Sequence, residues 1–259
     1  MRWSEEKSYL LCAVMFFTRI PVRFTTQYSD FALNKSRKYF PLVGIIIGSI
    51  AAFSIYFFQL ILPISLAIIL STIITIVTTG AFHEDGLADC CDAFGAGWDK
   101  TQILTIMKDS RIGSYGTVGL VLILGLKVAT LIEIGFLNLH LLLICCINAH
   151  AISRLGASLC VDFLDYVQDT DESKIKPIAN QKLNLKEQIF SFALIFPAIL
   201  SLGIYDWKLL FISLPIAATL FLSTNYFKKK IGGYTGDCLG AIQQILEVIF
   251  YLSVVILTS

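Results

Sequence analysis

Three aspartates, Asp85, Asp89 and Asp92, follow one another at spacings of four and three in the segment H-E-D-G-L-A-D-C-C-D that begins at His83. On an α-helix, at about 100° per residue, they fall within an arc of roughly 60°. Carboxylates stacked on one stripe repel one another, and a divalent cation among them would relieve that repulsion. Carboxylate oxygen is a hard ligand that suits Mg²⁺ (or Mn²⁺) rather than zinc. Mg²⁺ commonly takes one or two protein carboxylates and completes its shell with water and substrate phosphate. The expected metal ligands are therefore Asp85, Asp89 and Asp92, and the expected chemistry is that of phosphate. The competing reading is a solvated acidic turn. It fits poorly, because Leu87, Ala88, Ala93 and Phe94 make the opposite face apolar. Cys90 and Cys91 lack the partner cysteine pair that a zinc site would need.

Two glycine-rich segments flank this stripe in chemistry if not in sequence. The first is K-D-S-R-I-G-S-Y-G, Lys108 to Gly116. Such turns let backbone N–H groups approach an anion while Lys and Arg neutralise it. Lys108, Asp109, Ser110 and Arg111 are the expected substrate contacts; the alternative is a basic anchor beside a membrane. Asp99 and Gln102 read as a helix cap before it, with Ile103, Leu104, Ile106 and Met107 forming a short amphipathic helix. The second segment is G-G-Y-T-G-D-C-L-G, Gly232 to Gly240. Thr235 or Asp237 caps the helix that follows. The functional reading adds both as substrate contacts, with Asp237 a further ligand for metal or substrate. His83, Asp85 and Asp89 are the candidate proton acceptors, and residue types alone leave the choice among them open.

The elements that carry these residues follow from composition. The chain has 259 residues, 56% hydrophobic and 15% charged, with mean hydropathy +0.75. Soluble domains carry about 25% charged residues. Disorder is excluded, since disordered chains are polar, and length excludes a disulfide mini-protein. A net charge of +1 argues against a nucleic-acid binder. What remains is an all-α polytopic transmembrane helix bundle in a lipid bilayer. Seven spans are expected: 40–62, 64–82, 117–136, 141–161, 189–205, 209–227 and 239–257. Ser8–Thr18 is too short to cross and reads as an interfacial or re-entrant helix. The mixed-charge start is not a secretory signal. The whole chain reads as one membrane domain, with 83–116 its acidic and phosphate-binding segment.

Charges inside spans are costly, at about 2.5–3.5 kcal/mol each near the centre. Lys127 has Glu133 or Glu247 as its possible partner. Arg154 either faces substrate or joins an ion pair, and His150 reads as a satisfied bundle histidine. Seven spans put 17 of the 20 basic residues on one side, which the positive-inside tendency makes cytoplasmic. The seven cysteines form no C-x-x-C pair and read as reduced. The polar stretch 162–186 reads as a long, mobile loop.

Taken together, H-E-D-G-L-A-D-C-C-D, I-M-K-D-S-R-I-G-S-Y-G and G-G-Y-T-G-D-C-L-G resemble the cobalamin synthases, the adenosylcobinamide-GDP ribazoletransferases. F-F-T-R-I-P-V (Phe16–Val22) and F-P-L-V-G (Phe40–Gly44) extend the resemblance over nearly the whole chain, in order. It implies a bacterial inner-membrane enzyme with its site facing the cytoplasm. That enzyme joins adenosylcobinamide-GDP to α-ribazole or its 5′-phosphate, releases GMP and needs Mg²⁺. Glu84 departs from the usual H-L-D-G, and Cys90, Cys91 and Ala93 replace small or polar residues such as Thr and Gly. Neither departure touches the three aspartates. The layout is similar, by analogy only, to membrane CDP-alcohol phosphotransferases. The rival from another class is a cation transporter. Transporters place their sites near the midplane, whereas these carboxylates follow the end of a span beside Lys and Arg.

Overall fold

The computed structural model describes residues 3–22, 30–167 and 181–258. Among these the chain forms α1 (Trp3–Phe17), α2 (Asp30–Ser36), α3 (Phe40–Phe58), α4 (Ile64–Thr79), α5 (Phe82–Ala96) and α6 (Lys100–Met107). Then come α7 (Ser114–Leu137), α8 (Leu139–Phe163), α9 (Leu185–Tyr205), α10 (Ser213–Ile231) and α11 (Gly236–Thr258). Local chemistry sets the boundaries. Pro63 precedes α4, and the Asn138 side chain accepts from Leu141 N–H to open α8. Asn184 and Glu187 form a reciprocal capping box on α9, which therefore starts at Leu185, a turn before the expected 189. Asp99 caps α6 by accepting from Gln102 N–H at 2.9 Å, as its spacing implied.

Among the described residues six helical stretches are long and apolar enough to cross a membrane. The seventh expected span is interrupted. At about 1.5 Å per residue, α4 rises only about 24 Å, short of a hydrocarbon core of about 30 Å. It then meets α5 at 88°, so a seventh crossing exists only if the bent pair counts as one. The corner is a Schellman turn. Ala81 N–H bonds to Ile76 O at 2.9 Å and Gly80 N–H to Val77 O at 3.2 Å. Gly80 (φ 67°) and Ala81 (φ 58°) are both left-handed. For Ala81 that costs about 1–2 kcal/mol. The Phe16–Val22 segment braces the corner: Arg19 N–H donates to Thr78 O at 2.7 Å, and Phe17 packs on Phe82 and His83.

α8 and α11 form the centre, 78% and 67% buried, with α3 laid along α8. By contrast α7, α9 and α10 are 22%, 17% and 22% buried. Their uncovered faces carry Val118, Val121 and Leu122, Phe192 and Phe196, and Phe221 and Leu222. Apolar faces of this extent are stable against lipid tails, and the chain is a membrane protein. α1 is not among the crossing helices and begins at Trp3, a turn and more before the expected Ser8.

At one end of the bundle the loop after α8 meets the turn before α11, with Tyr234 N–H donating to Asp165 O at 3.0 Å. Residues 168–180 of the expected mobile stretch lie outside the described residues. Its flanks are tied down: the Asp162 carboxylate accepts from Arg37 at 2.6 Å and from Leu183 N–H at 3.0 Å. All seven cysteines are free thiols.

Candidate active site

The corner after α4 swings the acidic stripe onto α11. Gly86 of α5 meets the first turn of α11 so closely that a Cβ there would lie 3.0 Å from Asp237 O and 3.1 Å from its Cα. A Cβ on Gly240 would lie 3.3 Å from Gly86 Cα and 3.4 Å from His83 Cα. Glycine at both positions lets the helices close, and closure brings Asp237 beside Asp85 and Asp89. Asp85 is exposed, while Asp89 and Asp237 are half-buried. Burial, followed by the nearby Asp237, Asp85 and Asp92 charges, pushes the Asp89 carboxyl up to about 6.

Asp92 binds the neighbouring loop. Its Oδ2 accepts from Gly113 N–H at 2.7 Å and its Oδ1 from Gly116 N–H at 2.9 Å. A Cβ at either glycine would collide with this carboxylate, which explains the I-G-S-Y-G spacing. The loop thus hangs on the acidic helix by charge-assisted bonds. Ligation of a metal by Asp92 would have to use its remaining lone pairs. On the same loop Arg111 is exposed and clasps Asp109 with Nε–Oδ1 at 3.0 Å and Nη2–Oδ2 at 2.6 Å. That clasp holds the Asp109 carboxyl down at about 2. Lys108 and Ser110 are exposed on this rim. Thr235 is buried and caps α11, accepting from Cys238 N–H at 3.3 Å.

His83 and Arg154 sit elsewhere. Both line a small buried cavity of about 10 Å³ with Thr75, Thr79, Glu84, Lys127, His150, Gln243, Gln244 and Glu247. The His83 ring is 4% exposed and stacks on Phe17 at 6.0 Å. Lys127 Nζ pairs with Glu247 Oε1 at 2.6 Å, resolving the two sequence alternatives in favour of α11. His150 Nδ1 lies 3.4 Å from Glu247 Oε2, and Arg154 Nη1 donates to His150 O at 3.1 Å. Gln243 and Gln244 of this cavity have no signal in the sequence, where Glu84 stands out only as a departure from H-L-D-G. Glu84 Oε1 accepts from Gln244 Nε2 at 3.0 Å, across 160 positions of chain.

As the side chains stand, no three His, Cys, Asp or Glu groups among the described residues converge closely enough to hold a metal ion. The chemistry of the donor set still suits Mg²⁺. It is all oxygen and all anionic, and it holds the Asp89 carboxyl against its neighbours' charge.

The profile of the cobalamin-5-phosphate synthase family matches residues 9–255. The chain is 40% identical over 256 residues to the adenosylcobinamide-GDP ribazoletransferase of Leptospira interrogans, covering 98% of this chain and 97% of that protein. It is 43% identical over 252 residues to the protein of that name from Shewanella frigidimarina, covering 97% and 95%. For the Vibrio parahaemolyticus protein of that name, identity is 41% over 255 residues, covering 98% and 94%. No solved structure matches significantly. With its motifs in order over almost its full length, the chain belongs to the cobalamin-5-phosphate synthase family and is a transferase.

Proposed function

We propose that the protein joins adenosylcobinamide-GDP to α-ribazole or its 5′-phosphate and releases GMP, at the cytoplasmic face of a bacterial inner membrane. The observation that carries this reading is the closure of α5 on α11. It collects Asp85, Asp89 and Asp237 beside a basic loop that Asp92 holds in place. The ribose hydroxyl of the acceptor attacks the phosphorus bonded to cobinamide. An O–P bond forms, the bond to GMP breaks, and the hydroxyl proton leaves to a base. Transfer of this kind depends on position and charge more than on covalent catalysis.

Asp85, Asp89 and Asp237 are the residues to hold Mg²⁺, with Asp92 behind them. When bound, Mg²⁺ neutralises the diphosphate and the charge developing on GMP. Lys108 and Arg111 offset the remaining charge, and Asp109 fixes the guanidinium. The proton goes to a carboxylate of this set. His83 lies on the far side of α5, at about 160° from Asp85, and is buried against Phe17. Arg154, inside the same cavity, acts on the fold rather than on substrate.

Purified protein given adenosylcobinamide-GDP, α-ribazole and Mg²⁺ is expected to form the joined corrinoid and GMP in equal amounts. Chelation should stop both. Product without GMP release, or turnover undiminished by chelator, overturns the reading.

A further inference from the structure

α5 carries three of the four carboxylates, so its rotation sets where they stand. It packs Leu87, Cys90 and Ala93 into a core with Cys238, Ala241 and Ile242 of α11, but beside Asp85 the two helices meet backbone on backbone through Gly86 and Gly240. At that glycine contact no side chain inserts as a knob. Precision matters here. A carboxylate about 6 Å from a helix axis moves about 2 Å for a 20° rotation, whereas metal–ligand distances tolerate about 0.2 Å.

One polar chain reaches α5 from deep in the bundle. Lys127 of α7 pairs with Glu247 of α11 at 2.6 Å. Gln243 Nε2 donates to Glu247 Oε2 at 2.8 Å and to Ser153 Oγ of α8 at 3.0 Å. Gln244 Nε2 donates to Gln243 Oε1 at 2.9 Å and to Glu84 Oε1 of α5 at 3.0 Å. Glu84 is next in sequence to Asp85 and about 100° from it around the helix. Glu84 is 8% exposed and Gln244 2%. Glu84 Oε2, Gln244 Oε1 and Arg154 Nε are buried and have no hydrogen-bond partner among the described residues.

We propose that Glu84 and Gln244 are positioning residues: their bond locks the rotation of α5, and so sets the spacing of Asp85 and Asp89 from Asp237. This rests on the carboxylate site proposed above. A network needed only for stability would serve as well with matched apolar groups in its place. This one instead ends in a carboxylate one residue from the site, tied to three other helices.

The full-length protein in detergent tests the idea with Gln244→Leu, Glu84→Leu and the swap Glu84→Gln with Gln244→Glu. The swap reverses the pair and keeps a carboxylate facing an amide. Mn²⁺ affinity, read from the paramagnetic resonance of free Mn²⁺ without substrate, reports the site apart from turnover. Both leucine variants are expected to weaken Mn²⁺ binding and kcat about tenfold each, with the KM for α-ribazole within about threefold. The swap should restore both to within about threefold of wild type. A folded Gln244→Leu protein with wild-type Mn²⁺ affinity and kcat overturns the proposal, as does a swap no better than the single variants. If Gln244→Leu does not accumulate, Glu84→Leu against the swap decides. If wild type binds no Mn²⁺, the metal reading falls, and kcat alone decides between the swap and the leucine variants.

Discussion

Two polar clusters lie either side of α5 and differ in charge balance and access. On one face Asp85, Asp89, Asp92 and Asp237 gather, the charges of the other three all bearing on Asp89, and Asp85 is open to solvent. Behind the helix, Lys127 faces Glu247 at 2.6 Å, with His150, Arg154 and Glu84 close by and every one of them buried. The buried cluster matches acid with base, as a low-dielectric interior requires. The open cluster stores like charge, which costs stability and is useful only if something positive arrives. Both groups are ionisable; burial and charge balance separate them.

The largest effect should come from the open cluster. Asp85→Asn removes the charge of an exposed side chain, so turnover should fall about 10³-fold with normal membrane content and melting temperature. GMP release and thermal melting check it. The mirror experiment is Glu247→Ala. Stranding Lys127 in the bundle should cost about 3–5 kcal/mol of stability, read as loss of folded protein from the membrane or a lowered melting temperature. A stable Glu247→Ala protein defective only in chemistry, or an unstable Asp85→Asn protein, would break the contrast between the clusters.

Much of this is legible in the sequence, and the gaps have physical causes. The stripe at 85, 89 and 92 needs only the helical period, and hydropathy alone exposes the membrane spans. The same period sets His83 about 160° from Asp85, so residue numbers alone suffice to turn it away from the stripe. Its place in the motif suggests otherwise. The end of α4 is hidden because Gly80, Ala81 and Phe82 are as compatible with lipid as a continuing helix. Hydropathy measures that compatibility and is blind to the 88° turn. The Glu84–Gln244 bond spans 160 positions, and no local pattern announces such a pairing. Arg154 stays between two roles in the sequence because its hydrogen bonds go to His150 on its own helix, while the Glu84 and Glu247 charges beside it come from other helices.

A smaller effect tests the link between the stripe and the basic loop. Asp92→Asn keeps one acceptor oxygen but loses the charge that grips both Gly113 and Gly116 N–H groups. Losing one charge-assisted bond costs about 1.5–3 kcal/mol. Activity should fall about 10- to 100-fold, with faster amide exchange at residues 113–116. Protection unchanged at Gly113 and Gly116 would show that the loop holds its shape without Asp92, and the two halves of the site would be independent.

The smallest effect belongs to the rim. Lys108 is exposed at the end of α6, where water screens a charge and a contact is worth about 1 kcal/mol or less. Lys108→Ala should therefore raise the KM for the GDP-activated substrate about fivefold and leave kcat nearly unchanged, since an exposed lysine binds substrate and transition state alike. The defect should shrink as salt rises, because added ions weaken the wild-type contact as well. Arg111→Ala should do more than Lys108→Ala, because the Asp109 clasp already holds the guanidinium in place and ordering it on binding costs little. If instead Lys108→Ala lowers kcat strongly and salt leaves the defect intact, the lysine acts within the shielded site, and the boundary between exposed rim and buried centre moves outward to include it.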